Sequence, residues 1–424
     1  MKGVDPPDAQ YYRNYNAESL LVARGIQGGL GFLVVLHKND LVVDQVSSNI
    51  LSLLGWRPED VIGRPVDYIL DVSSVSSLRN SFVHDDFSRV NAVPLIFRTP
   101  LGAPASEQHW LGIPHISTEG VILEVERSTT RARGGGESKN FAHVMQLGKL
   151  RTCCGPSEFV IALTDEISRM CAFHRTMAYE ILADGHGKVI HETFQNETIK
   201  AKLEPLVKLH FPASDIPNVI KKLYLSQRVR AICDNNEPEV PIVPAINPRT
   251  RKPADLSRVN MRGTIPCHSE YMKNMGVAAS LTISVVIKGV LWGLIVCHHT
   301  SPRFIGHNDR VDVRDLAEYA SAFLQRIGED TSSLVQTRQA EVFESMMRGA
   351  SLSGGLLDSD VNIMRLISCG GVALVKASVV QWRGRAPRED HIRALVQFLA
   401  GKHIGTIWHT QSLPQELPVA LEYR

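Results

Sequence analysis

Cysteine is missing from the first 152 residues of this chain, and no two of its seven cysteines make a C-x-x-C pair. The number is odd and the spacing irregular, which speaks against a disulfide framework or a structural zinc site and fits a reducing cytosol. An excess of either charge is missing too: 46 lysines and arginines face 44 aspartates and glutamates, for a net charge of +2. Nothing in that balance calls for nucleic acid or a membrane surface as a partner. Residues 1–20 are polar, so no secretory signal is read there. An unbroken apolar span is also lacking. The most apolar stretch, 276–299, is interrupted at Lys288-Gly289 and reads as a buried hairpin rather than a membrane crossing. No internal repeat is visible. What remains, with 44% hydrophobic and 21% charged residues, is globular material for about two to four domains.

Along the chain, residues 1–25 lack periodicity and read as an irregular arm. Residues 31–37 and 40–44 read as strands joined at the polar turn Lys38-Asn39-Asp40, followed by helical stretches at 47–54 and 58–63. Further strands are expected at 92–98, 109–113 and 121–125, and 131–139 has linker composition. Helices are expected at 147–150, 156–169 and 217–225, with strands at 176–182, 189–192 and 229–233. Residues 235–253 carry five prolines and no period, which is long for a structureless connection and marks a functional or topologically special segment. A hairpin at 278–298 closes this region. Residues 312–347 read as one long helix or two, and 372–380, 392–399 and 405–409 open a further α/β unit.

Two constellations carry chemistry. In the first, Cys267 adjoins His268, with Arg262 upstream and Tyr271 downstream. Adjacency alone makes no catalytic dyad, because neighbours in an extended segment point to opposite sides. Taken alone, a single cysteine is more often a small buried hydrophobe. In the second, Asp215-Ile216-Pro217, the proline lacks an N–H and pushes Ile216 away from helical geometry, freeing the Asp215 carbonyl from a regular ladder. The bland reading is an aspartate in a turn before a helix.

The order of elements with Leu53-Leu54-Gly55-Trp56 and Pro58-Glu59-Asp60-Val61-Ile62-Gly63-Arg64 resembles a PAS domain, and the following region resembles a GAF domain. Leu256-Ser257, Arg262, Cys267-His268, Tyr271-Met272 and Asn274-Met275-Gly276 together are similar to the bilin-binding signature of cyanobacterial and plant phytochromes. The resemblance implies an α/β (α+β) chain of consecutive domains, each an antiparallel sheet with flanking helices: an arm (1–25), PAS (26–130), a linker (131–139), GAF (140–325), then a connecting helix and partial PHY domain (326–424). It implies a figure-of-eight knot, with 235–253 as the lasso for the arm. It implies a covalent linear tetrapyrrole, phycocyanobilin or phytochromobilin, held as a thioether on Cys267. In the family, biliverdin is attached through a cysteine in the N-terminal arm, where this chain has none.

The remaining site residues follow by the same resemblance. His268 faces the pyrrole nitrogens and His298 the D-ring carbonyl; strand alternation lets only one of His298 and His299 face the pocket. The Asp215 carbonyl, with Ile216 and Pro217, serves the pyrrole N–H groups. Arg230 and Arg262 hold the propionates, a role suited to the planar guanidinium fork, with Ser280 and Thr282 nearby. Tyr179, Tyr271 and Phe211 surround the D-ring. The sequence departs from the family at Phe211, where tyrosine is common, at His174, where aspartate is usual, and at Gly28-Gly29 in the arm. The resemblance further implies a cytoplasmic red/far-red photoreceptor piece, pairing through the helix after the GAF domain, without the PHY tongue or output module. It is not read as an enzyme, since self-attachment is a single turnover. Two rivals stand beside it: a PAS–GAF sensor of another small ligand, such as a cyclic nucleotide, and an enzyme using Cys267.

Overall fold

The computed structural model describes residues 25–81, 92–100, 109–117, 120–128, 150, 152–153, 155–216, 218–348 and 351–422 without 352, 368, 378, 403–406, 409 and 411–412. The expected arm apart from Gly25, the linker 131–139, the helix at 147–150 apart from Leu150, and Pro217 lie outside the described residues. The threading of a knot lies outside them as well. The chain divides into two compact units after Gln325.

The first unit holds two antiparallel sheets. In one, β2 (Gly31–Leu36) is paired by β3 (Val43–Ser47) and β6 (Gly120–Arg127), followed outward by β5 (Trp110–Ser117) and β4 (Val93–Leu95). Every residue of β2 is buried, which explains its continuous apolar run. Phe32 meets Phe97 and Trp110 edge-on at 5.3 Å, and Ile50, Leu54 and Leu78 from short helices close the core. The second expected strand starts at Val43 rather than at 40, because Leu41 takes a positive φ of 56° after the turn.

The stretch at 235–253 is not a structureless connection. It contains a strand, β11 (Glu239–Val243), inserted in the first sheet between β1 (Gly25–Gln27) and β3. Its pairing is short: Ile242 and Val243 alone oppose β3, and Pro241, the strand's one proline, lies opposite Gly25 of β1.

The second sheet runs β10-β12-β13-β7-β8-β9, built from β7 (Arg175–Ile181), β8 (Gly187–Phe194), β9 (His210–Phe211), β10 (Val229–Ile232), β12 (Ala279–Ile287) and β13 (Val290–His299). Lys288 and Gly289, both at positive φ, turn the hairpin. Leu281, Ile283 and Val285 are fully buried, and alternation puts them on the face opposite Ser280 and Thr282. The helix Pro156–Cys171 contacts β7 and β8 and stacks Phe159 on Phe323 of the long helix His307–Arg348 at 4.3 Å. That long helix is continuous.

In the second unit, the expected strand 372–380 is a hairpin, β14 (Gly371–Lys376) with β15 (Val379–Gly384), turned at Ala377 (φ 51°). The helix Glu389–Gly401 follows, while most of 405–409 lies outside the described residues.

Candidate functional site

The open face of the second sheet presents three rows. Ile232, Ser280, His298 and Arg175 lie side by side, then Arg230, Thr282, Val296 and Met177, then Leu294 beside Tyr179. Two helices rise over these rows. Asn218–Ser226 turns Ile220, Leu223 and Tyr224 inward at helical spacing, with Gln227 just past its end, and Pro266–Asn274 carries Cys267, His268, Tyr271 and Met272. Between sheet and helices lies a cavity with about 1550 Å³ of free space, part of it open to solvent. Of the thirteen residues singled out from the sequence, the twelve that are described all line it, so the motifs converge on one place.

The local geometry corrects one expectation. Cys267 and His268 do not sit in an extended segment. Pro266 occupies the first turn of a helix, where its missing N–H costs nothing, and the two residues point about 100° apart around the axis. Both therefore reach the cavity, as does Tyr271 one turn on. The same helix ends where Gly276 takes a φ of 67° and the Gly276 and Val277 amides return to Lys273 and Met272. Glycine in the signature is a helix stop.

His298 faces the cavity, whereas His299 turns away, bonded to Ser301 and stacked on His174 at 3.6 Å. The Arg175 guanidinium donates to His298 Nδ1 at 2.9 Å, which leaves the proton on Nε2. Burial, with Arg175 beside it, pulls the His298 pKa down to about 3. His268 is open to the cavity yet ringed by protein, and that enclosure, with Arg230, pulls it down to about 4. Both imidazoles are neutral near pH 7. Burial raises the Cys267 thiol above its ordinary value, and the His268 amide pulls it only partly back. No neighbouring imidazolium is therefore present near pH 7 to draw the proton from the thiol.

Arg230 is buried, and its guanidinium donates to the carbonyls of Asn260, Arg262 and, at 3.1 Å, Gly263. Arg262 is also buried, and among the described residues its Nη1 has no hydrogen-bond partner. Burial lowers the pKa of both arginines, a cost an incoming carboxylate would relieve. Asp215 stands at an exposed rim, its pKa raised by partial enclosure, and Ile216 has non-helical dihedrals of −126° and 83°. Tyr179 lies 5.9 Å from Phe211, over Gly187, where a Cβ would come within 1.7 Å of the tyrosine ring.

Sequence reasoning missed Tyr224, bonded to Thr282, though the spacing of 220, 223, 224 and 227 carried the signal. It also missed Arg175, buried against Glu192 at 3.6 Å.

A fit to a linear tetrapyrrole can be tested on these groups. The cavity offers a thiol, neutral imidazoles, apolar walls and two buried guanidinia, one with an orphaned nitrogen. Those match a long, apolar molecule carrying carboxylates.

Comparison with known proteins agrees with this arrangement. The PAS fold family matches residues 16–128, the GAF domain family 156–324 and the Phytochrome region family 335–424. Cyanobacterial phytochrome B of Nostoc sp. is 31% identical over 401 residues, covering 93% of this chain and 52% of that protein. The chromophore-binding domain of the bacteriophytochrome RpBphP3 from R. palustris is 31% identical, with a TM-score of 0.65, and 98% of it is covered by 73% of this chain. The photosensory core module of Stigmatella aurantiaca phytochrome superposes over 96% of this chain and 80% of its own, with a TM-score of 0.74 at 27% identity. The fold is that of a PAS–GAF–PHY photosensory core. The chain belongs to the phytochrome family. It spans about half the length of the curated cyanobacterial relatives it matches.

Proposed function

We propose that this chain is a red/far-red light-sensing module that holds a linear tetrapyrrole covalently through Cys267. The observation that carries the reading is the convergence of Cys267, His268, His298, Arg230, Arg262 and Asp215 on one cavity. When bound, the pigment supplies light absorption and the double-bond isomerisation. The protein's residues do the rest. Cys267 would hold the pigment as a thioether, its Sγ and proton adding across an exocyclic double bond. Arg230 and Arg262 would take the propionates, His298 Nε2–H would serve a ring carbonyl, and His268 the ring nitrogens. Tyr179, Tyr271 and Phe211 form the walls of the mobile ring, with Ser280 and Thr282 as hydroxyl partners and Asp215, Ile216 and Pro217 as the backbone rim.

The pigment class is an ethylidene-bearing bilin, phycocyanobilin or phytochromobilin, because the 152 residues before Cys153 offer no thiol for biliverdin. The module works in the cytoplasm, pairs through the long helix, and turns over no substrate. Expression with phycocyanobilin tests the reading. The protein should be coloured, change its spectrum under red light, and keep zinc-dependent pigment fluorescence on a denaturing gel. Cys267→Ala should lose that band. A colourless wild type would favour the rival small-ligand sensor, and a fluorescent Cys267→Ala would place the link elsewhere.

A further inference from the structure

Among the described residues Arg230 has no carboxylate in direct contact, although it is buried. Its guanidinium is instead cupped by the carbonyls of residues 260, 262 and 263. The opposite side of the same loop meets an anion. Glu124, on strand β6 of the first sheet and only 1% exposed, accepts the Asn260 amide at 3.0 Å and the Met261 amide at 2.8 Å. The loop's peptide units thus lie between a buried carboxylate and a buried guanidinium. One unit, Asn260–Met261, bridges them directly: its N–H donates to Glu124 and its C=O accepts from Arg230, the orientation in which its dipole is stabilised by both charges, while the Asn260 amide and the Arg262 and Gly263 carbonyls come from neighbouring units. Arg262, with its orphaned Nη1 at the cavity, is carried by this loop.

We propose that Glu124, a residue of the PAS sheet, is a positioning residue for the two cavity arginines, acting as the remote counter-charge of Arg230 through the Asn260–Met261 peptide unit of the loop that also carries Arg262. This rests on the bilin reading only where the pigment's carboxylates are concerned. The loop geometry stands without it. Direct salt-bridging would occupy the arginine's donors with a side chain. Neutralisation through peptide carbonyls keeps the guanidinium in place and leaves an exchangeable set of acceptors when an outside carboxylate arrives. Glu124 is itself held ionised, since burial is outweighed by its His115 bond, the Asn260 amide and Arg310.

The test compares uptake of phycocyanobilin with uptake of its dimethyl ester. In Glu124→Gln, uptake of the free acid should slow by about five- to tenfold relative to the ester. Val125→Ala, a core control, should slow both alike. An unchanged acid-to-ester ratio in Glu124→Gln would overturn the proposal. If the wild type takes up neither pigment, the bilin reading fails while the positioning claim is still decided by amide hydrogen exchange. Asn260 and Met261 should exchange faster in Glu124→Gln than in Val125→Ala. Should Glu124→Gln not fold, Arg230→Met serves, because the coupling is reciprocal. Loss of the cation should loosen the same two amides, and unchanged protection there would overturn the claim.

Discussion

Cys267 and the histidines facing it set opposite pH demands. The thiol lies above its ordinary value because of burial, so the thiolate fraction near neutrality is small. Adduct formation should therefore accelerate as pH rises from 7 to 9, and rapid-mixing absorption would show a flat profile if the thiol were already ionised. His268 and His298 titrate at about 4 and about 3, below the ordinary 6.5. Between those values the unfolded chain binds protons that the folded chain refuses, so the stability they contribute is complete above 6.5 and falls as pH drops toward 4 and 3. Asp215, raised by enclosure, acts in the opposite sense across the carboxylate range. The pigment-free protein should melt at a lower temperature at pH 5 than at pH 7.5, and His298→Gln should reduce that difference. An equal pH response in the variant would mean other groups dominate. At this scale much was legible: the resemblance carried by the Cys267-His268 signature implied twelve residues that line the cavity. Arg175 was not, since its bond to His298 joins positions 123 apart and leaves no local trace.

At the scale of elements, Gly187 and the rim of Tyr179 give the sharpest case. The β7–β8 pairing slips between Ala178 and Tyr179, which tips the ring across the neighbouring strand and onto the glycine. Gly187→Ala should cost about 1–3 kcal/mol by overpacking, or push the ring into the cavity and hinder pigment binding. Chemical denaturation together with pigment uptake would detect either result, and neither change would mean the ring moves freely. Helices with a clear 3.6-residue period were read nearly to their ends, as at Pro156–Cys171. The cysteine helix was missed because its nine residues have a single buried side chain, Met272, while Cys267, His268 and Tyr271 line the cavity and leave no apolar stripe. Function had erased the period that a core would have imposed.

For the whole first unit, the join between the sheets rests on buried charge. Glu126 of β6 pairs with Arg310 of the long helix, both nearly inaccessible. Removing one partner strands the other, so Arg310→Met should cost about 3–5 kcal/mol, with most of it regained in Arg310→Met/Glu126→Leu. Unfolding curves of the single and double variants would decide this, and an uncorrected double variant would show that the pair packs rather than neutralises. Such pairing across 184 positions is invisible in a sequence, as is the destination of β11. Composition showed only that residues 235–253 were unusual.

The insertion of β11 into the first sheet sets a schedule for synthesis. Strand β3 leaves the ribosome about two hundred residues before Ile242 and Val243 that pair with it. Until they emerge, one border of an apolar sheet has open N–H and C=O groups, the condition that invites pairing with another nascent chain. The domain that is made first is thus finished by its successor, and translation slowed between residues 128 and 239 should raise the aggregated fraction more than slowing after 243.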